Sequence, residues 1–175
     1  MKQKSFFFAV IVLACSIIFL AFVPKPFAYT LSAIDPSKGA VKAKLEQSTA
    51  VAQTKGKTST TSSSYTISGA KSTIRLKISE TVFQSLSDQT TGYMNPADYI
   101  NLYKLSVGKT NRNFAINIDG SSNATLIPIV FTSLDPPLSY KVAPVNGLVP
   151  GEYTFIDKST TKADGSIIVW TFGID

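Results

Sequence analysis

The stretch that decides the fold is GEYTFIDKSTTKADGSIIVWTFGI, residues 151–174. Two runs rich in β-branched and aromatic residues, Gly151 to Asp157 and Ser166 to Ile174, flank a polar segment that reverses at Asp164-Gly165. Such runs fit a pleated, buried surface, and Asp-Gly supplies the tight reversal, so the spacing predicts a β-hairpin.

Working outward, period-two alternation with turn punctuation continues back to Tyr65. Ile74, Leu76 and Ile78 alternate with Thr73, Arg75 and Lys77; Tyr103, Leu105 and Val107 alternate with Lys104 and Ser106. Phe114, Ile116 and Ile118 alternate with Asn113, Asn117 and Asp119. Thr125 to Thr132 is an apolar run broken by Pro128, a residue suited to an edge or a bulge. Ser139 to Ala143 is a short strand between Asp135-Pro136-Pro137 and Pro144, and Asn95-Pro96-Ala97-Asp98 predicts one helical turn. Short strands punctuated about every 8–12 residues predict an all-β, two-sheet immunoglobulin-like β-sandwich over residues 65–175. Trp170, Phe172, Phe155, Tyr153 and Phe114 are its expected core, and a small barrel is the alternative.

Upstream the composition changes. Ser37 to Ser64 is rich in Ser, Thr, Ala, Lys and Gln and holds no aromatic residue. Little apolar surface is on offer to repay ordering entropy, so residues 29–64 are expected to be a flexible linker, with an O-glycosylated stalk as the alternative. Residues 1–28 read as a signal peptide or membrane anchor, an N-terminal hydrophobic helix. Nineteen uncharged residues, Ser5 to Val23, follow Lys2 and Lys4 and stop at Pro24. At a rise of ~1.5 Å each they span roughly 28 Å, close to a hydrocarbon core. Three fates fit: cleavage behind Ala28, retention as an anchor, or lipid attachment at Cys15, since Val12-Leu13-Ala14-Cys15 resembles a bacterial lipobox. Lys2, Lys4 and the terminal amine on one flank are nearly balanced by Lys25, Lys38 and Lys42 on the other, so a cytoplasmic C-terminal domain stays open for a retained anchor. The N-terminal position of the run makes a secreted, periplasmic or membrane-anchored domain outside the cytoplasm the expectation.

The net charge of +6 sits in the first third of the chain. Before Tyr65 stand eight Lys against Asp35 and Glu46; from Tyr65 onward nine basic residues balance nine acidic ones. No clustered positive face is therefore expected on the folded part, and nucleic acid is not an expected partner. The basic linker reads first as a solvated segment, with contact to a membrane surface or envelope components as the alternative. There is no His, and the single Cys lies in the apolar run. That excludes Ser-His-Asp and Cys-His hydrolases and disulfides, and it removes the commonest transition-metal ligand.

No residue pattern rises to a catalytic, cofactor or metal site, and no cofactor is expected. Gly56-Lys57-Thr58 and Gly108-Lys109-Thr110 lack the preceding Gly of a phosphate loop, since Val51 and Tyr103 stand there. Asp119-Gly120-Ser121-Ser122-Asn123 offers oxygens to Ca²⁺ but lacks EF-hand spacing, so it reads as a turn. Asn123-Ala124-Thr125 fits the N-glycosylation pattern. Asp98, Asp135, Glu152 and Asp157 are the carboxylates a glycosidase would draw on, each beside a turn or strand end. Tyr65, Tyr93, Tyr99 and Tyr140 are the aromatics a carbohydrate platform would use.

Leu148-Val149-Pro150-Gly151-Glu152-Tyr153 and the closing Phe172-Gly173-Ile174-Asp175 resemble an uncharacterised bacterial domain group that ends in the same two motifs. Ile100-Asn101-Leu102-Tyr103-Lys104-Leu105 and Asn111-Arg112 resemble it as well. The likeness implies a turn followed by two strands and brings no activity with it. Three function classes follow: a non-enzymatic exported domain with a binding or structural role in the cell envelope, an assembly subunit joining through strand edges such as Ile127, Ile129 and Phe131, and a His-free hydrolase.

Overall fold

The predicted hairpin is the spine of the molecule. β13 (Gly151–Asp157) pairs antiparallel with β14 (Ile167–Ile174), from Gly151 opposite Ile174 to Ile156 opposite Val169. Asp164 accepts from the Ser166 amide at 2.9 Å and Gly165 takes φ 76°, which completes the reversal. Both strands are buried along nearly their whole length, a pattern that needs protein against both faces.

The computed structural model describes residues 29–35, 41–52, 62–87, 95–117, 125–135 and 138–175. The remaining strands are β1 (Tyr29–Ile34), β2 (Val41–Lys44), β3 (Glu46–Ala52), β4 (Ser62–Ser68), β5 (Arg75–Leu76), β6 (Phe83–Ser87) and β7 (Ile100–Lys104). They continue with β8 (Ser106–Val107), β9 (Asn111–Asn117), β10 (Leu126–Ile127), β11 (Ile129–Leu134) and β12 (Ser139–Pro144). The expected leader over 1–28 with Cys15, the Gly56-Lys57-Thr58 tripeptide, Tyr93 and the 119–123 loop lie outside the described residues. No helix among those residues is long and apolar enough to cross a membrane.

The strands form two sheets. The smaller runs β11-β12-β6-β1-β2; the larger runs β10-β7-β13-β14-β3-β4-β9-β8, with β5 added parallel to β14. The larger sheet doubles over. β7 and β8 are one strand interrupted at Leu105: β7 pairs with β13, and β8 pairs with β9. Since β13, β14, β3, β4 and β9 are already paired in series, the ladder returns on itself. Inside this closure pack Tyr65, Ile67, Tyr103, Phe114, Ile156 and Val169. Tyr65 and Phe114 stack with centroids 5.2 Å apart.

The alternate residues of β13 and β14 face the other way, against the small sheet. Phe83 of β6 meets Phe155 and Phe172, each at 4.9 Å between centroids, and Leu31, Leu102, Val142 and Trp170 complete this second core. Rings at such offsets add about 0.5–1.5 kcal/mol per pair beyond their buried area. The stack is thus three layers deep: small sheet, hairpin side of the large sheet, and its folded-back side.

The flexible linker expected over 29–64 is corrected where the structure describes it, at residues 29–35, 41–52 and 62–64, while 36–40 and 53–61 lie outside the described residues. Tyr29, Leu31 and Ala33 are buried in β1, and the single stretch of β2 and β3 stitches all three layers. Ala43 pairs with Ala33 in the small sheet, Glu46 to Ala50 pair with β14, and Val51 and Ala52 pair with β4. The crossing point is Leu45, 3% exposed, whose amide donates to the Leu31 carbonyl at 3.0 Å. Ala50 is fully buried where Ile167 lies opposite, so this site accepts only a small side chain. The alternation Ser72 to Ser79 also shortens: only Arg75 and Leu76 form a strand, and Ile78 begins a 3₁₀ turn with half its surface exposed.

Candidate functional site

Two polar centres stand at opposite ends of β13. At its start, Glu152 shares the inward phase with Thr154 and Ile156, so its carboxylate enters one mouth of the closed sheet. Only 5% of Glu152 and 4% of Arg112 is exposed. Glu152 Oε2 accepts from the Ser72 amide at 2.8 Å and from Arg112 Nη1 at 3.3 Å, while Oε1 is bound by the Arg75 guanidinium. Arg75 also holds the Asp175 carboxylate, through Nε at 3.1 Å and Nη2, and this contact keeps the Asp175 carboxyl below its usual range. Arg112 donates further to the carbonyls of Gly69 and Ser68, at 3.0 and 3.2 Å. Ser72 Oγ and Thr171 Oγ1 lie 3.2 Å apart beside them. Every charge here has a counter-charge, so the lattice seals the mouth and leaves no group poised for proton transfer.

Glu152 is therefore not the solvated strand-end acid expected from sequence. The signal was present: Arg112 lies in phase with Phe114 and Ile116, an inward position where a charge requires a buried partner. The two halves of the C-terminal motif prove to be cross-strand neighbours, Gly151 opposite Ile174, Glu152 opposite Gly173 and Tyr153 opposite Phe172. A Cβ on Gly173 would run into the Arg75 guanidinium and lie 2.8 Å from Glu152 Oε1. Glycine is required there by close approach.

At the other end, Asp157 is fully buried between the sheets. Its Oδ1 accepts from the amide and hydroxyl of Ser159, at 2.9 and 2.6 Å, and caps the 3₁₀ turn Lys158–Thr160. Its Oδ2 has no partner, nor has the buried hydroxyl of Ser85 on the facing sheet. Burial raises the Asp157 carboxyl above the ordinary carboxylate range, against the lowering effect of Ser159. The Tyr29 phenol is pushed up to about 12, first by burial and then by Asp157, Tyr140, Tyr99 and Asp98. Four residues singled out from sequence, Asp98, Asp157, Tyr99 and Tyr140, thus converge on a fifth, Tyr29, that was assigned to the linker. Tyr29, Tyr140 and Asp157 are each no more than 7% exposed, so a sugar has no access to them. The chemistry available is that of an enclosed, proton-avid carboxyl among phenols.

The other expectations fall elsewhere. Gly108 donates to the Asn111 carbonyl at 2.8 Å in the β8–β9 turn. Asp135 is exposed at the end of β11, and Tyr65 is core. Ile127, Ile129 and Phe131 pack against the inter-sheet core, because the chain passes from the large to the small sheet at Pro128. Among the described residues no group of three or more His, Cys, Asp or Glu side chains is placed to hold a metal ion.

Charge is divided between the sheets. The five strands of the small sheet contain Lys42, Lys44 and Lys141 and no Asp or Glu. Those of the large sheet balance Arg75, Lys104 and Arg112 against Glu46, Glu152 and Asp157. The basic excess expected in a linker is in part built into a folded face. No protein-family model matches the chain, and neither a curated protein nor a solved structure matches it.

Proposed function

We propose that the chain is a non-enzymatic β protein displayed outside the cytoplasm close to a membrane, with a binding or structural role in a bacterial cell envelope. The observation that carries this reading is a spacing. The apolar run ends at Val23 and β1 begins at Tyr29, so five residues separate a segment of membrane-spanning length from an inner strand of the small sheet. Five residues reach at most roughly 18 Å. A retained run therefore holds the folded part at the bilayer surface and not at the end of a tether.

Two further features support the reading. The titratable groups gathered in the fold are either paired, as at Glu152, or enclosed, as at Asp157, which suits a scaffold better than a reaction centre. Of the two edges of the small sheet, β2 is four residues long and carries two lysines, the usual guard against edge-to-edge pairing, whereas β11 is six residues long and uncharged, so assembly through the β11 edge is the second reading. Of the immunoglobulin-type expectation, the stacked pair of sheets belongs to this reading, and the doubled large sheet departs from that pattern. The likeness of the closing motifs to an uncharacterised bacterial domain group is consistent with it.

The test is location. The full chain with a C-terminal epitope is expressed in a bacterium, the cells are fractionated, and spheroplasts are treated with protease. The epitope is expected outside the cytosol and open to protease; recovery of intact Met1-containing chain in the cytosolic fraction overturns the proposal.

A further inference from the structure

We propose that the outward face of the small sheet rests on an anionic lipid bilayer, an inference that builds on the membrane-proximal reading above. Tyr29, Leu31, Phe83 and Val142 point into the core, so their strand neighbours point out. One cross-strand row runs over all five strands: Thr132, Lys141, Gln84, Ser32 and Lys44, each opposite the next. At about 4.8 Å per strand, Lys141 and Lys44 stand about 14 Å apart on one surface. The adjoining row holds Leu86, 46% exposed, between the buried Ser139 and the half-buried Thr30, and Val130, 51% exposed, lies beyond Thr132 on the far side of the lysine row. No carboxylate lies in these strands to compete for the lysines.

A row of lysines with an exposed aliphatic side chain on either side of it, and no acid within the strands, complements phosphate headgroups above an acyl boundary. A soluble polyanion would draw on the lysines alone and leave Leu86 and Val130 in water. Position agrees with chemistry. The Leu86 row lies at the Tyr29 end of β1, the end joined to the apolar run, so Leu86 is brought to the bilayer first, while Val130 lies toward the Ile34 end.

The experiment reconstitutes the full chain into vesicles of phosphatidylcholine alone and of phosphatidylcholine with phosphatidylglycerol. Floated vesicles are treated with an amine-modifying reagent, and labelling is read by mass spectrometry. Lys44 and Lys141 are expected to lose reactivity by roughly fivefold in the anionic vesicles, the factor set by the attraction of one lysine to such a surface. Lys109, in the exposed β8–β9 turn, is expected to label equally in both. Leu86→Ser with Val130→Ser is expected to restore labelling in part while leaving the circular dichroism spectrum unchanged. Equal labelling of Lys44 and Lys141 in both vesicle types, or protection of Lys109 in their place, overturns the assignment of this face. Protection by a soluble anionic polysaccharide but not by vesicles overturns the bilayer as its occupant. A chain that does not float at all refutes the membrane-proximal reading itself, which is a separate result.

Discussion

Gly173 lies opposite Glu152 in the β13–β14 ladder, and the side chain it lacks is the space through which Arg75 reaches that carboxylate. A methyl group at 173 has no room unless the guanidinium withdraws. Gly173→Ala is expected to destabilise the fold by about 2–3 kcal/mol, as an overpacked and partly unpaired site does. The same change in an Arg75→Met background is expected to cost less than half as much in urea unfolding. Equal costs in the two backgrounds would show that the clash lies with the backbone and not with Arg75.

Glu152 holds Arg112, which is 4% exposed, so the two partners of Glu152 are not equivalent. Glu152→Gln leaves Arg112 as an uncompensated buried charge and is expected to cost about 3–5 kcal/mol. Arg75→Ala removes a partner whose side chain is one-third exposed, and a cost of about 1 kcal/mol is expected. Chemical denaturation of both variants checks the order; a larger loss for Arg75→Ala would reverse the account of the lattice.

Asp157 sets a pH dependence of unusual sign. Its carboxyl is raised in the folded chain, so between the ordinary value of 3.8 and the raised one the folded state binds more protons than the unfolded. Stability from this group is therefore present in acid and lost as pH rises through that window. Asp157→Asn keeps an oxygen for Ser159 and removes the charge. The unfolding free energy of the variant, relative to the parent, is expected to rise as the pH is raised from 4 toward 7. A constant difference across that range would count against an ionising Asp157.

Burial raises the phenols of Tyr29, Tyr65, Tyr103 and Tyr153. The folded chain keeps these protons above pH 10, where the unfolded chain releases them, so alkaline pH drives unfolding. In a titration followed near 295 nm, these tyrosines are expected to ionise together with the loss of circular dichroism signal. Half-ionisation of these four at pH 10 in a chain that keeps its circular dichroism signal would contradict the burial described.

A fragment beginning at Tyr65 tests the role of the upstream strands. Without β1, β2 and β3 the small sheet loses two of its five strands, and β14 loses its partner at Glu46–Ala50. The fragment is expected to be unfolded, with exchange of its β14 amides at the rate of a free peptide. Within the full chain, Leu45→Ala is expected to cost about 2–4 kcal/mol.

Where bulky residues marked the phase, the sequence was readable. β13, β14, β9 and β12 fall at or within two residues of where the alternation put them, the strand expected over 103–107 begins three residues earlier as β7 and breaks at Leu105, and Asn95 caps the expected turn at Pro96–Asp98. Residues 41–52 hid the same periodicity in small side chains. Ala43 and Leu45 point into one core, Ala50 and Ala52 into the other, and the phase flips where the strand changes layers. A chain that crosses between cores shows neither a single alternation nor a continuous apolar run. The Glu152–Arg112 pair was hidden for a different reason: its partners are 40 residues apart, and only the doubling of the sheet brings β9 and β13 to one mouth.

The pairing of β3 with β14 joins residues 46–50 to residues 167–171. Some 120 residues must leave the ribosome between the two halves of that ladder, and loop closure over such a length is slow. The nascent polypeptide thus stays threadable until its last strand emerges. A translocation channel that admits only extended chain would receive it in that form, with closure of the ladder deferred to the far side.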